Sequence, residues 1–365
     1  MPTTVLLAAT AKGLFRFSSD DDRRSWRHDA FALQGLEVLQ AWLDPRVAGR
    51  GYAVTNHPVW GSHLYRSDDD GVTWTTLDAV PRHADGRHGS RLRQLWSIAP
   101  GPADRPGRLY AGIDPAGLFV SDDAGASWAP VAGLNDHPSR STWEPARGGF
   151  SVHGVHCDAQ RLGRLYAAVS AGGAFASDDD GASWRPINHG VALPNRPPGD
   201  HATGHNIHRL WRHPAREGRL YRQCYGGVYR SDDGGGHWTD IGAGLPSGFG
   251  YALCGEPDDP DSVLVVPIDS RELRTVCEGR LRVYRSRDAG GHWEPLTHGL
   301  PQALCYVSVL REALGCDGDL QRPGFYLGTT GGQLFASPDR GDTWTALALH
   351  LPRILGVSAR TLDPV

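Results

Sequence analysis

Histidine is the residue type here whose spacing points most directly to chemistry. His153 and His156 stand three residues apart, as do His205 and His208. His153 lies 13 residues before Tyr166, and His208 lies 13 before Tyr221. The two pairs therefore hold equivalent places in neighbouring stretches of chain, which would set their imidazoles side by side. His57 and His63 flank Trp60 on a third connection. Three or more converging imidazoles would hold zinc or another divalent metal ion. No closely spaced ligand motif accompanies them, and the competing reading is that each ring hydrogen-bonds within its own loop.

Flat aromatic faces form a second group. Trp60, Trp143, Tyr225 and Tyr251 are candidates to lie against a sugar or another flat ligand. Trp42, Trp96 and Trp211 sit in apolar alternating stretches and read as core. Arginines crowd the same connections, among them Arg91, Arg93, Arg140 and Arg209, and would clamp an anion. Only Lys12 among the 37 basic residues is a lysine, so each arginine is less informative than usual.

One motif decides what positions these groups: Ser, any, Asp, any, Gly, any, a Thr, Ser or His, then Trp. It reads SDDDGVTW at 67–74, SDDAGASW at 121–128 and SDDDGASW at 177–184. It continues as SDDGGGHW at 231–238, SRDAGGHW at 286–293 and SPDRGDTW at 337–344. A degenerate copy, SDDDRRSW at 19–26, has Arg23 where the glycine belongs. The tryptophans step by 48 to 56 residues, a propeller-like period with four short strands per repeat. Each copy follows two alternating strands with turn residues between them, as in 108–112 and 117–121, and an apolar strand precedes those. The motif falls on the turn between the third and fourth strands. Its Asp and Ser would bond the turn's own backbone, its Gly would adopt a conformation a side chain resists, and its Trp would fill the wedge between sheets. The acidic runs at 68–70 and 178–180 lack the alternating ligands and the closing Glu of a calcium loop, so they read as turn residues. The first repeat lacks an inner strand, which segment 354–359 would supply, closing the ring through the terminal segments. The expected fold is all-β: a single domain over 1–365, a seven-bladed propeller of four-stranded antiparallel blades.

These boxes resemble the Asp-box, or BNR, repeats of a propeller superfamily that includes sialidases, sortilin-type receptors, two-propeller xyloglucanases and a photosystem II assembly factor. The resemblance spans nearly the whole chain. It implies that the boxes lie on the face away from the active site, and that the opposite face is built from the connections between the fourth and first strands and between the second and third. The stretch from Gly148, Gly149 and Phe150 through Gly172, Gly173 and Phe175 is similar to the xyloglucanase-type repeat. That repeat carries a catalytic Asp just before its paired glycines, where this chain has Ser170. The equivalent positions elsewhere are Ala11, Asn56, Asp114, Tyr225, Asp269 and Thr330, so only Asp114 and Asp269 offer carboxylates. Glycoside hydrolysis needs one carboxyl to protonate the leaving oxygen and another to activate water or attack carbon, about 6.5–9.5 Å apart for inversion or 5–5.5 Å for retention. Asp114 precedes Pro115, and a simple turn role competes with catalysis there. Glu144, beside Trp143 in a long loop, is a substitute acid. The sialidase arginine motif is absent, since 12–17 does not match it.

The connections at 78–92, 135–151 and 189–205 are long and rich in His, Arg, Trp and Pro, and that at 269–281 is also long and carries Asp269, Arg271, Glu272, Arg274 and Glu278; long loops are the usual homes of function on a rigid scaffold. A hydrophobic share of 39% excludes global disorder, and a net charge of −4 without a basic stripe argues against nucleic acid. There is no P-loop, Rossmann fingerprint or GxSxG elbow. No apolar run reaches membrane-span length, no export signal is evident, and the six cysteines form no motif, so reduced thiols and a cytoplasmic location are expected. The leading expectation is an enzyme-like binder, glycoside hydrolase-like, taking a polar or carbohydrate-like ligand in the funnel opposite the boxes. Alternatives are a non-catalytic scaffold for protein partners and a metal-dependent lyase or hydrolase built on the funnel histidines.

Overall fold

The computed structural model of the protein describes residues 3–20, 22–84, 88, 91–143, 145, 149–194, 199 and 201–362. These form seven four-stranded antiparallel sheets arranged as the blades of a propeller. Blade 1 runs, from inner to outer strand, Ile354–Leu362, Thr3–Thr10, Gly13–Ser19 and Trp26–Ala32. Six further blades follow in chain order, with inner strands Glu37–Leu43, Gln94–Pro100, Val152–Cys157, Ile207–Arg212, Gly250–Gly255 and Leu314–Cys316. The ring closes as expected. Ile354–Leu362 pairs antiparallel with Thr3–Thr10 from Thr3 opposite Leu362 to Thr10 opposite Ile354. The same strand meets blade 7 where the Val357 N–H donates to the Glu312 carbonyl at 2.7 Å.

Because each blade is an up-and-down meander, its third-to-fourth turn shares one end of the ring with its first-to-second connection. The other end collects the remaining connections, and every inner strand starts there. The core lies between blades rather than within them. Trp42, Tyr52, Val54 and Leu64 of blade 2 pack against Leu95, Ile98, Leu109 and Phe119 of blade 3. Burial of each such large side chain contributes about 1.5–3 kcal/mol. Close approach also needs glycine: a Cβ on Gly112 would stand 2.0 Å from the Val152 carbonyl oxygen of the next blade.

The repeated turn works as its residue types predict. In the second copy Ser67 Oγ donates to Asp69 Oδ1 at 2.7 Å and accepts from the Gly71 N–H at 2.9 Å. Asp69 in turn accepts from the Thr73 N–H at 2.9 Å and the Thr73 hydroxyl at 2.6 Å. Gly71 sits at φ +83°, in the left-handed region. Trp238 and Trp293 bridge blades, their Nε1–H groups donating to the Ile187 and Ile241 carbonyls at 2.8 Å, while Trp74 and Trp184 bond the Gly71 and Gly181 carbonyls of their own turns. The carboxylates beside the motif Asp are ion-paired: Asp180 of blade 4 receives both Arg105 and Arg108 of blade 3.

These turns make the fold acid-sensitive. Hydrogen bonds from Ser127 and Ser183 hold the Asp123 and Asp179 carboxyls below their ordinary value. At Asp69 and Asp339 partial burial opposes ionisation, and the bonds from Thr73 and Thr343 outweigh it, so these carboxyls too are lowered. A carboxyl depressed in the folded state contributes stability above its unfolded value, near ~4, and loses it as pH falls through the folded one. The melting temperature is therefore expected to hold at neutral pH and drop progressively below about pH 4. Asp69→Ala should lower the neutral-pH melting temperature and flatten that acid limb, while ligand binding at the opposite end is unchanged. Loss of binding without loss of stability would reverse the assignment of faces.

Candidate functional site

All seven inner strands contribute to a cavity of about 300 Å³ on the ring axis. Gln40, Ser97, His153, His156, Arg209 and Glu312 are among its polar lining. Arg209 of blade 5 forms an ion pair with Glu312, just before the inner strand of blade 7.

At the strand-entry end, side chains from several blades meet. Arg311, the neighbour of Glu312, lays its guanidinium over the Trp96 ring of blade 3, 5.2 Å from the centroid. His208 packs on Tyr251 at 4.9 Å between ring centroids and edge-on to Phe249 at 5.5 Å. Its Nδ1–H donates to the Gly250 carbonyl at 2.6 Å, which leaves Nε2 as an acceptor. His153 is buried, and its Nε2 has no hydrogen-bond partner. Burial, reinforced by the nearby Arg311, pushes both rings toward the neutral form, His208 down to about 3. Farther round, Arg271 hydrogen-bonds the Tyr225 hydroxyl and stacks over its ring at 5.2 Å.

Asp114 closes the second strand of blade 3, Leu109–Asp114, opposite Gln94. It is only 5% exposed. Oδ2 accepts from the Phe150 N–H at 3.1 Å, and Oδ1 is buried with no partner. Burial raises the carboxyl above its ordinary range, against the opposing pull of the Phe150 N–H and the Arg93 charge. Gly149 makes this enclosure possible: at φ +108°, a Cβ there would stand 2.6 Å from Oδ2. The result is an enclosed carboxyl that favours its proton, with Oδ1 buried and unpartnered; like Asp269, it is not among the residues that line the axial cavity.

The other sequence candidates divide. Asp269 is exposed on the blade 6 loop, its N–H donating to the Thr275 carbonyl at 2.8 Å, and it lines no part of the axial cavity. Glu144 lies outside the described residues. Trp143 has no free face: it is buried against Phe175, with Nε1–H donating to Ser139 Oγ at 3.0 Å, because its loop folds back onto blade 4. Trp60 is 69% exposed and stacks on His57. Arg209 lines the axial cavity, while Tyr251 packs on His208 and Tyr225 lies under Arg271. The histidines are held separately. His57 Nδ1 accepts from the Val59 and Trp60 N–H groups, each at 3.1 Å, and His205 Nε2–H donates to the His201 carbonyl at 2.6 Å. His156 lines the axial cavity with its ring pushed down to about 3 by burial. His153 and His208 are neighbours, as their equivalent positions imply. Among the described residues no three His, Cys, Asp or Glu side chains gather to hold a metal ion. Sequence reasoning does not single out Arg311, Glu312 or Trp96 as site residues. A signal was present, since Arg311 lies at the entry to an inner strand, the kind of place that draws attention to His153 and His208.

Fold and site together define a seven-bladed β-propeller with a polar, aromatic-lined funnel. No protein-family model matches the chain. It is 27% identical over 299 residues to a probable oligoxyloglucan-reducing end-specific xyloglucanase of Neosartorya fischeri, covering 73% of this chain and 34% of that protein. The chain thus spans about a third of the length of this curated relative. Among solved structures, a GH74 xyloglucanase from Xanthomonas campestris superposes with a TM-score of 0.62 at 21% identity, covering 98% of this chain and 52% of that one. YCF48 bound to a D1 peptide superposes at 0.55 with 15% identity, covering 90% and 93%. No helix among the described residues is long and apolar enough to cross a membrane.

Proposed function

We propose that this chain is an Asp-box propeller that binds a carbohydrate in the funnel opposite its repeated turns, with glycoside hydrolase-like chemistry centred on Asp114. The observation that carries this reading is the buried Asp114 carboxyl, shifted toward its protonated form and with Oδ1 unengaged. A proton donor to a glycosidic oxygen needs those properties. Tyr251 and Tyr225 supply flat faces for sugar rings, and the xyloglucanase relative supports the substrate class. Asp269, exposed on the blade 6 loop, is the remaining candidate for the second carboxylate, acting through water.

The test is calorimetric titration of a panel of oligosaccharides, xyloglucan fragments included, together with reducing-sugar release. Wild type is expected to bind at least one member, and Tyr251→Ala to weaken it about fivefold to tenfold through loss of a stacking face. Absence of both binding and cleavage across the panel would overturn the reading. A second reading, a scaffold for a protein segment, is favoured by one observation: the peptide-bound YCF48 matches this chain along nearly its full length, whereas the xyloglucanase is about twice as long.

A further inference from the structure

The funnel floor holds one more cation than its acids balance. Glu312 is already engaged by Arg209. Arg311 reaches from blade 7 across to Trp96 of blade 3, so its guanidinium lies near the ring axis. Among the described residues it makes no hydrogen bond or ion pair of its own. The charged and titratable groups that bear on it are Glu312, Tyr251 and Arg209, with His153 and His208 close by. Only Glu312 is an acid. The two imidazoles are neutral at physiological pH, so they neither repel an anion nor replace one. Arg311 is half-buried, and a partly desolvated guanidinium whose one nearby acid is already engaged by another arginine is unfavourable in the empty protein.

We propose that Arg311 is an anion subsite at the funnel floor and that the ligand is an acidic carbohydrate whose carboxylate pairs with this guanidinium. The inference rests on the carbohydrate reading and names its substrate class. Trp96 covers one face of the guanidinium and leaves its N–H edges available, the geometry that recognises a carboxylate through two parallel bonds. His208 Nε2 offers an acceptor for a neighbouring hydroxyl, and the unpartnered His153 Nε2 is a second polar atom in the same floor. A neutral sugar would satisfy the acceptors and leave Arg311 unpaired.

The experiment compares a short oligogalacturonate with the same oligomer after reduction of its carboxyl groups to alcohols, titrated against wild type, Arg311→Gln and Arg311→Lys at low salt. Wild type is expected to prefer the acidic oligomer by at least about tenfold. Arg311→Gln should abolish the preference, and Arg311→Lys, which keeps the charge without the fork, should retain part of it. Ligand-free Arg311→Gln should melt at least as high as wild type, since it removes an unpaired charge, whereas a purely structural arginine would melt lower when replaced. Equal binding of the two oligomers to wild type, or a preference that survives Arg311→Gln, would overturn the proposal. Binding of the reduced oligomer without any gain from the acid would sink this inference and leave the carbohydrate reading standing. Stabilisation of wild type by malonate while neither oligomer binds would sink both.

Discussion

Asp114→Asn is expected to cut glycoside cleavage by about 10²-fold or more while raising the melting temperature at pH 7. The two effects share one cause. Asn keeps an oxygen to accept the Phe150 N–H, so the loop at Gly149 and Phe150 stays in place. It cannot donate an acidic proton. The stability sign follows from the raised carboxyl. A group whose folded pKa lies above its unfolded value contributes stability below the unfolded value and loses it as pH rises through the folded one. At pH 7 the enclosed carboxyl is therefore a liability that Asn removes. The gain should vanish in mildly acidic buffer, where the wild-type carboxyl is protonated too. Wild-type cleavage should fall as pH rises through the same raised pKa, because the acid must carry its proton. Measuring rate and melting temperature across pH for both proteins checks all three expectations. Full activity in Asp114→Asn would remove this residue from the chemistry. Lost activity with a lower melting temperature at every pH would make it a structural turn residue.

Deleting 354–362 is expected to abolish cooperative folding of the ring. The strand Ile354–Leu362 is the inner strand of blade 1 and also faces blade 7, so its loss exposes the Thr3–Thr10 ladder and opens the ring at once. A point variant tests the same seam more gently. Arg23 of blade 1 buries its guanidinium against Asp317 of blade 7, with Nε–H donating to Oδ2 at 2.6 Å, and Nη2 reaches Asp319 at 2.8 Å and Thr361 Oγ1 at 3.2 Å. Arg23 holds φ 56°, in the left-handed region, at the very place where the other turns carry glycine. The strained backbone is exchanged for a clamp across the closure. Asp317→Ala leaves this cation buried without its main partner and should cost about 3–5 kcal/mol. Chemical denaturation with circular dichroism reads both variants. A truncated protein that unfolds like the full-length one would refute closure by strand pairing.

The peptide chain's own pattern determines most of the scaffold. The Ser, Asp, Gly and Trp of each repeat act within a few residues of one another, so their bonds are local and legible: Ser67, Asp69, Gly71 and Thr73 complete one turn without outside help. Alternating strands and the missing inner strand of the first repeat likewise follow from local order, and counting repeats gives the ring. Even the equivalence of His153 and His208 is a matter of register. The site is another matter. Trp96 reads as core on alternation alone, yet it carries the guanidinium of a residue more than 200 positions later. Trp143 reads as a free face until its loop turns inward onto Phe175. Asp114 and Asp269 look alike in sequence, but Gly149 and Phe150 of the next blade's loop enclose one carboxyl, while the other stands in solvent. Burial, and with it proton affinity and the surplus charge at Arg311, depends on which blades meet at the axis. Those are long-range contacts that no local spacing encodes, so only the closed ring decided them.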